Sequence, residues 1–278
     1  MRSVFNWKLI FFLVGVFLCI ESALMFLAFL VALRYNEYDF PYLLCSTLVT
    51  FSFGIVLMLA GRNYSMKMDK RVGMLTITIV WILFSLFGTL PFWWSGAIPS
   101  FTDAFFETIS GFTTTGSSIL TNIESLPHGL LFWRSLTQWI GGVGFVLMSM
   151  AILPFLNGDV QLFSAEATGP IQDKLQPRIK STARRLWVLY VVLTLLAMLL
   201  FWLGGMNLFD AVCHSLTTLS TGGYSTKQES IAYWDSPFLQ YVVIVFMLIG
   251  GTKFILLYLA LIKGKINERA FPPRQLIA

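Results

Sequence analysis

Ser110-Gly111-Phe112-Thr113-Thr114-Thr115-Gly116-Ser117-Ser118 is answered, 107 residues later, by Thr217-Thr218-Leu219-Ser220-Thr221-Gly222-Gly223-Tyr224-Ser225. At that spacing Thr114 falls on Thr221, Gly116 on Gly223 and Ser118 on Ser225. Asp103-Ala104, ahead of the first copy, falls on Asp210-Ala211 ahead of the second. Each copy follows a short amphipathic run, Phe101–Phe112 or Leu208–Leu219, and lies between two long apolar runs. Irregular Thr/Gly-rich backbone is costly at membrane depth unless it lines a cavity inside protein. The repeated stretch therefore reads as a pair of re-entrant pore loops whose exposed carbonyls replace the water around a cation.

Composition agrees with a membrane setting. The chain has 278 residues, of which 56% are hydrophobic and 12% charged, with a mean hydropathy of +0.75. Soluble domains carry about 25% charged residues. A spanning helix needs about 20 apolar residues, and six runs qualify: Trp7–Leu33, Phe40–Ala60, Val72–Trp94, Leu130–Leu156, Leu186–Leu203 and Phe238–Ile262. The expected fold is thus an all-α membrane protein with six transmembrane helices and two re-entrant pore helix–filter loops. The first run is too long for a cleaved signal peptide, and no small-residue cleavage site follows it. Cys19, Cys45 and Cys213 suggest neither a disulfide framework nor metal spacing.

The net charge of +5 matters less than its distribution. Basic residues cluster around Arg2–Lys8, Arg62–Arg71, Lys174–Arg185 and Lys263–Arg274, and with six spans all four clusters fall on one side. The positive-inside rule makes that side the cytoplasm, which puts both termini there in a multi-pass protein of the cytoplasmic (inner) membrane. The opposite loops are acidic, with Glu37, Asp39, Asp103, Glu107, Glu124, Asp210, Glu229 and Asp235. An acidic outer mouth raises the local cation concentration. Topology accounts for the basic patches, so no nucleic acid partner is expected.

In chain order, a hairpin (1–61) precedes a first helix–pore loop–helix repeat (62–157). A cytoplasmic linker (158–185), a second repeat (186–264) and a tail (265–278) follow. Glu21 lies inside the first span, where a carboxylate is a functional suspect by default. Nothing in the sequence ties the hairpin to the repeats, and Glu21 reads as protonated or hydrogen-bonded to a neighbouring helix. Ser100 or Thr102 is the expected cap of the first pore helix. From Asp103 to Phe112 that helix measures about 15 Å. Its electronegative C-terminal end points at the Thr/Gly stretch and favours a cation there.

Gly141, Gly142 and Gly144 recur as Gly250 and Gly251, followed by Lys253. Such glycines serve either close helix packing or a hinge and cavity wall. Arg134 needs a partner inside the membrane, and Glu107 or Glu124 is available; Arg134 with Glu107 reads as a clamp behind the pore loop. His128 and His214 are isolated and suggest packing roles. No metal motif, hydrolytic triad or phosphate loop points to an enzyme, and no cofactor is expected. Equal order and topology in the two repeats indicate a parallel duplication rather than an inverted-repeat transporter.

These residues resemble the TrkH/KtrB family of potassium uptake proteins, and most of all its TrkH branch. The resemblance rests on Asp103-Ala104-Phe105-Phe106-Glu107-Thr108-Ile109-Ser110-Gly111-Phe112-Thr113-Thr114-Thr115-Gly116 and on Trp133–Gly144. It rests also on Gln161–Pro170, Leu175–Ala183, Leu208–Ala211 and Ser220–Thr226, and covers nearly the whole chain up to Lys265. It implies four helix–loop–helix repeats around one pore, of which this chain holds two. Thr113, Thr114, Thr115, Gly116 and Ser117 would form one filter strand, and Ser220, Thr221, Gly222, Gly223 and Tyr224 another. Gly116 and Gly223 would be the central glycines, and K+ the ion at their carbonyls.

The resemblance also implies a cytoplasmic nucleotide-binding ring that regulates opening, with the linker as its contact; the same basic linker suits anionic lipid headgroups. Two strands do not encircle an ion, so either the chain is a truncated, non-conducting or regulatory piece, or self-association or another chain supplies the missing repeats. Lys253 departs from the family pattern and would repel a cation if it faced the pore.

Overall fold

The computed structural model describes residues 6–64, 70–156 and 172–252. Within them the chain is helical, with no strand among the described residues. The helices are α1 (Trp7–Tyr35), α2 (Phe40–Ala60), α3 (Lys70–Gly88), α4 (Leu90–Trp94), α5 (Phe101–Phe112), α6 (His128–Leu156), α7 (Gln172–Leu203), α8 (Leu208–Leu219) and α9 (Pro237–Gly251). Among the described residues, four stretches are long and apolar enough to cross a membrane: Trp7–Tyr35, Phe40–Ala60, Val72–Trp94 and Arg184–Leu203. The linker as far as residue 171, the tail and Lys253 lie outside the described residues.

Two boundaries differ from the sequence expectation. The run Val72–Trp94 is interrupted at Thr89, where α3 gives way to the short α4 ahead of Pro91; proline deprives that turn of a backbone donor. The helix entering the second repeat begins at Gln172, inside the expected linker. Pro177 is its sixth residue, past the first turn in which proline is freely accommodated, and the helix runs through it.

The two halves are built alike from the first cap onward. Ser100 Oγ accepts from the Asp103 N–H at 3.4 Å, and Asn207 Oδ1 accepts from the Asp210 N–H at 2.7 Å. These caps are again 107 residues apart. They satisfy orphan donors at the helix starts and set the entry angle of α5 and α8. Both helices have 12 residues, about 18 Å at 1.5 Å per residue, which is too short to cross a bilayer core of about 30 Å. One core cluster gathers α1, α3, α5 and α6 around Phe112 and Trp133; a second gathers α7, α8 and α9 around Phe201 and Leu219.

The hairpin is not a detached unit. α1 packs on α2 and also on α3 and α6. The α1–α2 turn supplies the cap of α6: Glu37 Oε2 accepts from the His128 N–H at 2.5 Å, and Asp39 Oδ2 accepts from the Leu130 N–H at 3.1 Å. Two carboxylates at a helix N-terminus also complement its dipole. His128 Nδ1 meets Glu37 Oε1 at 2.8 Å and its ring stacks on Tyr35 at 3.9 Å; Phe209 of α8 stands edge-on at 4.6 Å. A Cβ at Gly129 would overlap Asp39 Oδ2, so the close approach requires glycine. Glu21 is fully buried and finds no hydrogen-bond partner among the described residues. Its Oε1 lies 3.2 Å from where a Cβ on Gly88 would stand. Of the two alternatives, protonated or hydrogen-bonded to a neighbouring helix, the hydrogen bond is not formed among the described residues.

Burial raises the Asp39 carboxyl to about 6; the nearby Glu37 charge adds to the rise, while backbone hydrogen bonds and His128 oppose it. The folded state thus favours the neutral acid. Asp39 contributes its full stability below its unfolded value near 3.8 and loses that contribution as pH rises through about 6. Thermal unfolding of wild type and Asp39→Asn is expected to converge in acid and diverge as pH climbs from about 4 to about 6. Parallel pH profiles for the two proteins would contradict this account of the α6 cap.

Candidate functional site: paired filter loops

The chain after α5 and the chain after α8 take the same path. Thr114 and Thr221 have φ of 53° and 56°, and Gly116 and Gly223 have φ of 76° and 82°. A left-handed residue thus falls twice in each loop, at matching positions. The hydrogen bonds match as well. Thr114 N–H donates to Gly111 O at 2.9 Å, and Thr221 N–H to Thr218 O at 3.0 Å. Thr115 and Gly116 donate to Ser110 O at 2.9 and 3.4 Å; Gly222 and Gly223 donate to Thr217 O at 3.0 and 3.3 Å. Each loop spends these N–H groups on the last turn of its own helix. Glycine carries no Cβ penalty at positive φ, which explains Gly116 and Gly223.

The two loops lie against each other. A Cβ on Gly116 would overlap the Gly222 carbonyl oxygen, whereas Gly223 has no atom within 4 Å of that position. Thr113, Thr115, Ser117, Thr221 and Gly223 are exposed, Thr114 and Gly116 half-buried, and Ser220, Gly222 and Tyr224 buried. Thr113 and Thr115 hydroxyls pair at 2.8 Å.

Behind the loops stands Arg134. Its Nε donates to Glu107 Oε1 at 2.7 Å and its Nη1 to Ser225 O at 2.9 Å; the guanidinium lies 3.6 Å above the Tyr224 ring. Of the two acidic candidates, Glu107 is the partner, while Glu124 is exposed. Glu107 also accepts from Ser118 Oγ at 2.9 Å and from the Ile119 N–H at 3.0 Å. Both members of the buried pair thus make further hydrogen bonds, two to the carboxylate and one from the guanidinium, which favours tolerance of a buried ion pair. Tyr224 closes the circuit: its hydroxyl donates to Glu107 O at 2.7 Å and faces Ser117 O at 3.4 Å. Arg134, from the first repeat, thus holds the exit of the second loop, and Tyr224, from the second loop, holds the exit of the first.

His214 occupies in α8 the position of Glu107 in α5. It is buried edge-on to Trp234 at 5.0 Å, with Ser225 Oγ 3.3 Å from Nε2. Asp210 accepts from Thr226 Oγ1 at 2.6 Å. The segments that follow the two loops are also linked, with Gln228 Oε1 accepting from the Ile123 N–H at 3.1 Å. Asp103, Glu124, Glu229 and Asp235 are exposed.

The glycines after each loop pack closely. Gly141 backs onto the carbonyl of Phe112 and the Thr114 methyl; Gly250 backs onto the carbonyl of Leu219, at 2.5 Å from a would-be Cβ, and the Thr221 methyl. Phe112 and Leu219, like Thr114 and Thr221, are themselves matched positions. Gly142 faces the Tyr190 hydroxyl and Ser220. Among the described residues, a Cβ on Gly144 would meet only Trp81, at 3.8 Å, and one on Gly251 would meet nothing within 4 Å. Sequence reasoning missed Gln138, which approaches Gly222 and accepts from the Tyr224 N–H. Its spacing one turn from Arg134 on α6 was the available signal.

Comparison with known proteins follows this geometry. The profile of the TrkH family, described as cation transport protein, matches residues 43–274. The Trk system potassium uptake protein TrkH of Salmonella typhimurium is 39% identical over 256 residues, covering 91% of this chain and 53% of the relative. TrkG of Escherichia coli, also a Trk system potassium uptake protein, is 34% identical over the same shares. The crystal structure of the potassium transporter TrkH from Vibrio parahaemolyticus superposes with a TM-score of 0.82 at 33% identity, over 93% of this chain and 53% of that one. The chain spans about half the length of the curated relatives it matches. On these grounds it belongs to the TrkH family of cation transport proteins.

Proposed function

We propose that this chain contributes two of the strands of a cation filter and supports potassium uptake across the cytoplasmic membrane. The observation that carries the reading is the doubled loop: two left-handed positions and three N–H donations to the preceding helix, repeated at a spacing of 107 residues. Where N–H groups turn back to their own helix, loop carbonyls other than that of Ser117, which accepts from Ser110 Oγ at 2.6 Å, are left for a ligand, and a cation is the ligand that carbonyls bind. The C-terminal ends of α5 and α8 add partial negative charge at the same place.

In this reading α5 and α8 are re-entrant, entering from the acidic side and returning to it. α6 and α9, with the apolar residues after Gly251, complete six spans, and the basic clusters face the cytoplasm. Gly141 and Gly250 hold the loops by packing rather than by bending. Further strands close the ring and come from more of the same polypeptide, a second copy or another chain. The cytoplasmic linker meets lipid headgroups and a nucleotide-binding regulatory ring. Transport, rather than enzymatic turnover, is the family's described role.

The test is potassium-limited growth, with rubidium uptake, of a bacterium lacking its own potassium uptake systems and expressing this chain. Growth that requires intact Gly223 supports the reading. Growth that persists unchanged in Gly223→Asp would overturn it.

A further inference from the structure

Gln138 is fully buried on α6 and touches both loops at their glycines. Its Oε1 accepts from the Tyr224 N–H at 3.0 Å. A Cβ on Gly222 would overlap its carboxamide, and Nε2 lies 3.8 Å from where a Cβ on Gly116 would stand. Nε2 has no hydrogen-bond partner among the described residues. The Tyr224 N–H fixes which end of the amide is oxygen.

The peptide unit linking Gly223 to Tyr224 makes this contact consequential. No described peptide bond is cis, and in a planar trans peptide the N–H and C=O point in opposite directions. Drawing the Tyr224 N–H toward α6 therefore turns the Gly223 carbonyl away from α6, and Gly223 itself is exposed. Arg134 does related work one residue later by binding Ser225 O. The brace belongs to this junction alone. At the spacing that matches Gly141 with Gly250, Gln138 falls on Met247 and Arg134 on Val243, and neither offers a donor or a good acceptor.

We propose that Gln138 is a positioning residue that aims the Gly223 carbonyl and so sets the cation preference of the second loop. The inference rests on the filter reading above. The acceptor function separates it from mere packing. Gln138→Met keeps the volume and removes the acceptor, whereas Gln138→Glu keeps an acceptor for Tyr224.

The experiment is amide hydrogen exchange of the purified full chain in lipid nanodiscs, read on peptides covering residues 219–226, in KCl, NaCl and choline chloride at equal ionic strength. Wild type is expected to exchange more slowly in KCl than in NaCl. Gln138→Met is expected to speed exchange by about tenfold or more, the scale of one lost buried hydrogen bond, and to erase the difference between the two salts. Gln138→Glu is expected to retain wild-type protection in KCl. Wild-type exchange and salt dependence in Gln138→Met would overturn the proposal, as would a Gln138→Glu protein behaving like Gln138→Met. Exchange in wild type that is equal in all three salts would overturn the filter reading itself, and the two failures are thereby distinguished.

Discussion

Gly116→Asp is expected to abolish rubidium uptake while leaving the protein in the membrane. Three effects act together at this position. The left-handed φ of 76° disfavours any residue with a Cβ, at a cost of about 1–2 kcal/mol. The added Cβ overlaps the Gly222 carbonyl oxygen, so the second loop must move as well. The carboxylate then places a fixed charge among carbonyls arranged for a mobile cation, and it holds the ion where passage requires release. Gly223→Ala separates these effects, because no atom lies within 4 Å of its Cβ position. It is expected to keep the backbone cost of its own left-handed φ of 82°, about 1–2 kcal/mol, without the steric overlap or the charge, and still to impair uptake. Uptake is checked with radioactive rubidium and expression by membrane fractionation. Normal uptake by Gly116→Asp would remove this loop from the ion path.

Arg134→Met is expected to destabilise the fold more than any change in the loops. It leaves Glu107 buried with its charge uncompensated, and breaking one side of a buried pair costs about 3–5 kcal/mol. It also strips the Ser225 carbonyl of a donor and the Tyr224 ring of its cation. The companion change Glu107→Gln strands the arginine. Because Ser118 Oγ and the Ile119 N–H lose a charged acceptor too, the first loop's exit should loosen with it. The double variant Arg134→Met/Glu107→Gln is expected to recover part of the loss, since no unpaired charge remains. Thermal unfolding in detergent measures all three. Additive losses in the double variant would show that the two side chains do not act as a pair.

Much of this arrangement was legible in the sequence because it is local or repeated. The first cap, narrowed to Ser100 or Thr102, the two short helices and the Thr/Gly loops are set by neighbours a few residues away, and duplication makes the helices and loops visible twice. What stayed hidden depends on partners far along the chain. The choice of Glu107 over Glu124 for Arg134 turns on burial that both candidates share equally in the sequence. Gln138 meets Tyr224 across 86 residues; its spacing one turn from Arg134 puts the two on one face of α6, but that spacing does not name the loop they reach. Glu37 and Asp39 cap a helix that starts 91 residues after them, so the hairpin looked independent of the repeats when it in fact anchors α6. The start of α7 at Gln172 was hidden because Pro177 and the nearby glycines read as punctuation, whereas the helix runs through a proline at its sixth residue.

The central claim is that Thr113–Ser117 and Ser220–Tyr224 hold the ion. Its most direct test is an experimental structure of the protein in lipid with rubidium replacing potassium, located by anomalous scattering. Rubidium signal beside the carbonyls of the Gly116 and Gly223 loops is the result expected. Well-ordered loops with no rubidium there, and signal elsewhere in the chain, would contradict the account.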